Sequence, residues 1–382
     1  MTRELAFVLS GGFLKSFCGG IFVSAIASFA GLPSVSATDV AVFSGVGYGF
    51  QIIASLCSGR LAARFGFHTV AFVSSVLSLL AIVLLVVSPS DPDWMAAGGA
   101  IKGLFFGLVA ALTPMLLTLA SPADRSASDS TLFQFVMQAG VLWGVLFGAA
   151  SVWCFPDEPC LSMRVSFALM ALPAAVHFLC LRALPKNPFV SANYACAATC
   201  PSRIRSVVLC GVLFALLSFA GIGIVSDYSV ILFVWAGLTT ASANLASAVM
   251  KAVVVVAVLL TVGFSRRCDA GRLVIGGAAL SAVCLSLALF AHGWFFSALV
   301  VASVAVFHAG ASAGSWALVQ KALPIGLRTV WVPVLVVVGQ LATWPLTTFF
   351  FPVLESFGVA PMFLFFILSD VLIVLLVALG LR

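Results

Sequence analysis

Twelve apolar runs follow one another along this chain, at 5–31, 39–59, 67–88, 94–120, 131–153, 163–183, 206–236, 241–264, 272–291, 294–319, 329–351 and 360–381. Each has about the ~20 residues that a helix needs to cross the hydrocarbon core of a bilayer. With no water there to bond the backbone, a spanning segment must be a helix or part of a closed barrel. Barrel strands alternate apolar and polar residues over ~10-residue segments, and these runs do not alternate. The fold class expected is therefore all-α and polytopic, with twelve transmembrane helices in a lipid bilayer. Composition agrees: 63% of residues are hydrophobic and 8% are charged, against roughly half and a quarter in soluble domains. The first run continues too far past "MTRELAFVLSGGFLKSF" for the short apolar region of a cleaved leader, and reads as the first helix.

Lysine and arginine set the orientation. With both termini cytoplasmic, the short inner segments hold Arg3, Arg60, Arg64, Arg125, Arg182, Lys186, Arg203, Arg205, Arg266, Arg267, Arg272, Lys321, Arg328 and Arg382, fourteen of the eighteen basic residues. The outer loops hold Arg164 alone, while Lys15, Lys102 and Lys251 fall inside apolar runs. Asp39, Asp91, Asp93, Asp157, Glu158 and Glu355 fall outside. This is the positive-inside pattern; the expected location is the plasma membrane, with an organelle membrane as the alternative. The net charge of +6 is then a signal of topology and implies no nucleic-acid partner.

Among ten cysteines, Cys154 and Cys160 bracket "FPDEP" in one outer loop, where an oxidising exterior permits a local disulfide. Cys196 and Cys200 lie on the cytoplasmic side in "YACAATCPSR" with no histidine partner. A free or lipidated thiol is read there before a metal site, and no cofactor is expected.

Gly59 and Gly263 each close an apolar run ahead of a basic turn, 204 positions apart. Pro122 and Pro324 recur at 202 positions, Arg125 and Arg328 at 203. Three landmarks at nearly one offset imply two six-helix halves of the same orientation, 1–183 and 206–382, joined by a polar cytoplasmic linker at 184–205. Parallel repeats of this kind are a transporter device, with the solute near the bilayer midplane.

Several motifs in order resemble the sugar porters of the major facilitator superfamily over nearly the whole chain. "GRLAARFG" (59–66) resembles the loop signature G-x-L-A-D-R-F-G-R-R between helices 2 and 3 of that family. "GLFFGLVAALTPM" (103–115) is similar to porter helix 4, and "RSASDSTLFQFVMQAGVLWGVLFG" (125–148) to the segment leading into helix 5. "MRVSFALMALPAAVHFLCLRALPKNPFV" (163–190) resembles helix 6 with its proline-rich end. "AGIGIVSDYS" (220–229) is similar to the helix 7 segment, and "GSWALVQKALPIGLR" (314–328) to helix 10. The resemblance implies the major facilitator fold, a monomer, and alternating access for a small-molecule solute. It leaves uniport and proton coupling both open.

Departures from the family pattern fall in two places. In the family, acids pair with arginines to clamp the cytoplasmic ends. Here Arg64, Arg125, Arg267 and Arg328 occupy the arginine positions of that cytoplasmic gate, while Ala63, Leu119, Lys321 and Gly263 stand where the acids would be. Asp124, Asp129 and Asp269 are near but differently spaced. At ~1 kcal/mol for each such pair, a weakened gate is expected.

The pocket positions also differ. The family's sugar-binding amides and acid project onto Val145, Leu217, Ser218, Gly223, Lys251, His308 and Gly339, with Gln340 adjacent and Trp316 retained. A polyol needs donors and acceptors at fixed points, so ordinary hexose is not the expected substrate. Lys251, His308, Trp316, Gln340 and Ser218 are the expected substrate contacts. Lys251 sits deep in "SAVMKAVVVVAVLL", where a charge is costly unless it faces a cavity or a partner. With His308 it would meet an anionic group; otherwise it pairs with Asp227 or sits uncharged. Asp370, on the last span, reads as a structural hydrogen bond or an oligomer contact.

No HExxH, P-loop or Cys–His constellation is present, and the loops leave no room for a nucleotide-binding domain, so no enzyme is expected. The expected function is a secondary transporter or facilitator of a small organic solute. The alternative is a transporter-derived protein that no longer transports and serves as a receptor, sensor or assembly partner.

Overall fold

A segment immersed in hydrocarbon satisfies its backbone by coiling, and the chain coils along most of its length. The computed structural model describes residues 3–87, 89–120, 126–183, 204–265, 269–323 and 325–380. Among them, twelve helices are long and apolar enough to cross a membrane. The chain forms two compact units, Met1–Asn193 and Tyr194–Arg382. Most of the expected linker, with Cys196 and Cys200, lies outside the described residues. Cys154 and Cys160 carry free thiols.

The N-terminal unit contains α1 (Arg3–Ala30), α2 (Ala37–Phe65), α3 (Phe67–Val87), α4 (Pro92–Ala120), α5 (Ser126–Cys154), α6 (Pro159–Leu169) and α7 (Ala171–Ala183). The break between α6 and α7 lies at Met170, three residues before Pro173, whose ring nitrogen cannot bond the Leu169 carbonyl. α2 begins with a reciprocal cap. The Asp39 carboxylate accepts from Ser36 N at 2.8 Å and from its hydroxyl at 2.7 Å, and the Ser36 oxygen accepts from Asp39 N at 3.3 Å. It ends at Gly66, whose φ of +84° suits glycine, and α3 starts one residue later. Arg60 and Arg64 therefore sit exposed on the closing turns of α2, where cations complement the helix dipole.

Glycines let the helices of this unit touch backbone to backbone. A methyl group on Gly20 of α1 would stand 2.9 Å from Gly144 Cα and 2.8 Å from Val145 N, both on α5. Gly103 and Gly107 of α4 abut the Gly47 and Gln51 carbonyls of α2 in the same way, the close approach that small residues permit in membranes. Between these seams, the Lys102 ammonium lies 3.7 Å from the Phe22 ring centroid, 5.2 Å from Phe43 and 5.5 Å from Phe106.

The C-terminal unit contains α8 (Ile204–Phe219), α9 (Ile222–Asp227), α10 (Ser229–Trp235), α11 (Thr240–Ser265), α12 (Ala270–Ala288), α13 (Gly293–Phe307), α14 (Ala313–Ala322), α15 (Ile325–Phe357) and α16 (Ala360–Gly380). The run 206–236, expected as one helix, is three. Gly221, at φ +71°, interrupts it between α8 and α9, and any side chain there would enter the Phe366 ring. Tyr228 separates α9 from α10 and is anchored sideways: its hydroxyl donates to the Thr347 carbonyl at 2.9 Å and its ring lies 5.0 Å from Phe350. Tyr228→Phe should lower stability by ~1 kcal/mol, the net worth of one hydrogen bond, read as a lower melting temperature of the purified protein.

A π-helical turn, His308–Ser312, joins α13 to α14. Gly310 within it meets Gly277 of α12, where a methyl on Gly277 would stand 2.8 Å from Gly310 Cα. Asp370 of α16 is fully buried, so its expected role as an oligomer contact is not what the fold shows. Ser281 lies beside it but pairs with Ser303 at 3.0 Å, and among the described residues neither Asp370 oxygen has a well-formed hydrogen bond.

Candidate functional site

Two interrupted helices border one cavity. The break at Gly221 ends α8 and starts α9, and the π-helical turn widens the junction of α13 with α14; such turns are frequent at functional sites. Between them, within the C-terminal unit, lies a cavity of about 240 Å³. Its polar lining is Ser218 from α8, His308 and Ser312 from the π turn, Ser315 from α14 and Thr343 from α15. Phe214, Leu217, Ile222, Ile224 and Phe307 form the apolar lining, and Gly223 leaves a side-chain-free stretch of wall.

The hydroxyls are partly committed to the backbone. Ser315 donates to the Ser312 carbonyl at 2.8 Å and Thr343 to the Gly339 carbonyl at 2.9 Å. Each oxygen keeps its acceptor lone pairs, so the wall presents acceptors at fixed points. His308, packed edge-on against Phe307 with centroids 6.4 Å apart, adds a group able to donate or accept.

The structure brings together four positions singled out in the sequence: Leu217, Ser218, Gly223 and His308 all line this cavity. Lys251 lies on α11, 3% exposed. Its ammonium donates to the Ser226 hydroxyl and, at 3.0 Å, to the Ser226 carbonyl. The hydrogen-bond partner is thus the neighbour of Asp227, while the Asp227 carboxylate acts on Lys251 through space. Lys251 is not itself among the residues lining the cavity, but Ser226 belongs to α9, whose Ile222, Gly223 and Ile224 are.

Gln340 is buried on α15 outside the lining set, and among the described residues its Oε1 has no hydrogen-bond partner. Trp316 follows Ser315 on α14, its side chain outside the described residues. Of the gate arginines, Arg64 is exposed at the end of α2. Arg125 and Arg267 lie outside the described residues, as does the Arg328 side chain on α15. Asp269 gives one carboxylate oxygen to capping α12, accepting from Gly271 N at 3.0 Å.

Ser312, Ser315, Thr343 and Ser226 were not foreseen. Hydroxyl residues in apolar helices ordinarily bond their own preceding turn, so they carry no signal in sequence. One further pattern, "GASAG" at 310–314, fits the spacing of a nucleophile elbow. That motif needs a strand leading into its turn, and here helix lies on both sides. Among the described residues, no cluster of His, Cys, Asp and Glu is able to hold a metal ion.

Residues 12–191 match the family described as Sugar (and other) transporter. The solute carrier family 2, facilitated glucose transporter member 2 of Sus scrofa is 27% identical over 145 residues, 36% of this chain and 26% of that protein. Its Mus musculus counterpart is 26% identical over 139 residues, again 36% and 26% of the two chains. The matched part thus spans about a quarter of the length of these relatives. Among solved structures, a D-xylose-proton symporter superposes with a TM-score of 0.84 at 18% identity, covering 100% of this chain and 98% of that one. The inward-open xylose transporter XylE from E. coli gives 0.81 at 16% identity, covering 98% and 95%. At that identity the likeness is one of fold, and it extends over the whole chain.

Proposed function

We propose that this sugar porter-like integral membrane protein, built on the major facilitator fold, is a secondary transporter or facilitator that moves a small organic solute bearing an anionic group by alternating access. The observation that carries this reading is the cavity of the C-terminal unit, where Ser218, Gly223 and His308 converge. Its volume of about 240 Å³ lies just under the ~300–1,000 Å³ of drug-sized pockets, which suits a small solute. Hydroxyl and imidazole groups replace the amides that hold hexose in the family, so the polar contacts of ordinary hexose are mostly missing. The buried Lys251 ammonium has a hydroxyl and a carbonyl as hydrogen-bond partners, and a cation tied to α9, which forms part of the cavity wall, favours negative charge on a bound solute. Among the described lining residues His308 is the titratable one, and so the one on which proton coupling would act.

The test is uptake of a labelled panel into proteoliposomes: pentoses, hexoses, polyols and small carboxylates, each with and without an imposed pH gradient. Carboxylate uptake above empty vesicles is the expected result. Uptake of hexose alone would overturn the anionic reading. Absence of flux across the panel would favour the alternative, a receptor or assembly partner, which the missing gate acids also suit. Ser218→Leu should fill part of the cavity and reduce the initial rate at least ten-fold. An unchanged rate would take the cavity off the solute's path.

A further inference from the structure

A second cavity, of about 900 Å³, opens at the end of the C-terminal unit where α8 and α12 begin and α16 stops. Its rim carries Arg205 and Ser206 from the first turn of α8, and Arg272 from the first turn of α12. Both arginines are exposed, and among the described residues neither guanidinium has a hydrogen bond or ion pair. Asp269 also stands on the rim, but one of its oxygens is held by Gly271 N at 3.0 Å. Among the described residues the rim thus sets two arginines against one aspartate.

The remaining wall is apolar, with Leu209, Ile275, Val377 and Leu379. Leu379 is 83% exposed, so the cavity opens onto the outward surface of the bundle. From its mouth an apolar stripe runs up α8, with Ile204, Val208 and Val212 at 59%, 55% and 42% exposure. Residues four apart share one helix face, and this face would lie against hydrocarbon. A free phosphate needs only the rim; the stripe is useful to a ligand that continues into an acyl chain.

We propose that this cavity is a binding site for an anionic phospholipid, its phosphate held by Arg205 and Arg272 and one acyl chain laid along α8. Arginine suits this role because its planar fork meets phosphate oxygens two at a time. Basic pockets between membrane helices are a known setting for anionic headgroups. The site is separate from the solute cavity and does not depend on what the protein transports.

The experiment is native mass spectrometry of the full-length protein in mild detergent, titrated with phosphatidylglycerol, phosphatidylcholine or inorganic phosphate. One retained phosphatidylglycerol per protein is expected. In Arg205→Gln/Arg272→Gln its occupancy should fall at least ten-fold, with phosphatidylcholine unaffected. Arg60→Gln/Arg182→Gln, which removes the same charge from exposed positions of the N-terminal unit, should keep the lipid. Gel filtration of both double variants checks that they remain folded. Equal loss in the two pairs, or none in the first, would overturn the site. Displacement of the lipid by millimolar inorganic phosphate would overturn the acyl-chain contribution and reassign the cavity to a soluble phosphate.

Discussion

Replacing Lys251 with methionine should cut proteoliposome uptake of an anionic solute at least ten-fold while leaving the melting temperature of the purified protein unchanged or raised. The two effects separate because a buried ammonium is a poor stabiliser. Desolvation costs roughly several kcal/mol per ion, and its hydrogen bonds, here to the hydroxyl and carbonyl of Ser226, return ~1.5–3 kcal/mol each at best. Methionine keeps an unbranched, flexible side chain and removes the desolvation cost, so the tie between α11 and α9 is exchanged for apolar packing at little loss. A solute carboxylate, by contrast, loses the positive charge that draws it toward the His308 wall. The outcome that would sink this role is a lowered melting temperature with neutral and anionic solutes losing uptake in step, because that is how a purely structural lysine behaves.

Gly144→Leu should leave little folded protein. A leucine there has backbone, not side chains, in its way: the modest methyl of an alanine would already stand 2.9 Å from Gly20 Cα and from Ile21 N. Overpacking in a core that can repack costs ~1–3 kcal/mol. Here rotamer changes give no relief and α1 must separate from α5, so the cost should exceed that range. Gly19→Leu is the control on α1, since nothing lies within 4 Å of a methyl at Gly19. Thermal melting followed by gel filtration reads the difference. If the two variants melt together, the close seam between α1 and α5 is wrong.

The spans were legible in sequence because a bilayer imposes one length and forbids an unbonded backbone; nothing about the order of packing was needed. The finer shape was not. Gly221 announces a break only once its φ of +71° and the Phe366 ring behind it are seen. Tyr228 separates α9 from α10 through a hydrogen bond to Thr347, 119 residues away, which no local pattern encodes. In the site, the positions Ser218, Gly223 and His308 were reached through resemblance, and the fold places them on one wall. Ser312, Ser315 and Thr343 were not reached, because a hydroxyl bonded to its own helix looks the same in sequence whether it faces a cavity or a neighbour. Lys251 shows how fine the margin is. Asp227 is the obvious partner by charge, yet the ammonium donates its hydrogen bonds to the residue before it.

The Lys102 ammonium bears on how the N-terminal unit would fare in acid surroundings. Part of its surroundings is the faces of Phe22, Phe43 and Phe106, which attract a cation through the ring quadrupole. A carboxylate neighbour surrenders its charge as the medium acidifies, and the attraction goes with it. Benzene rings have no proton to gain. The aromatic share of the stabilisation of this cation is therefore the same on either side of a proton gradient.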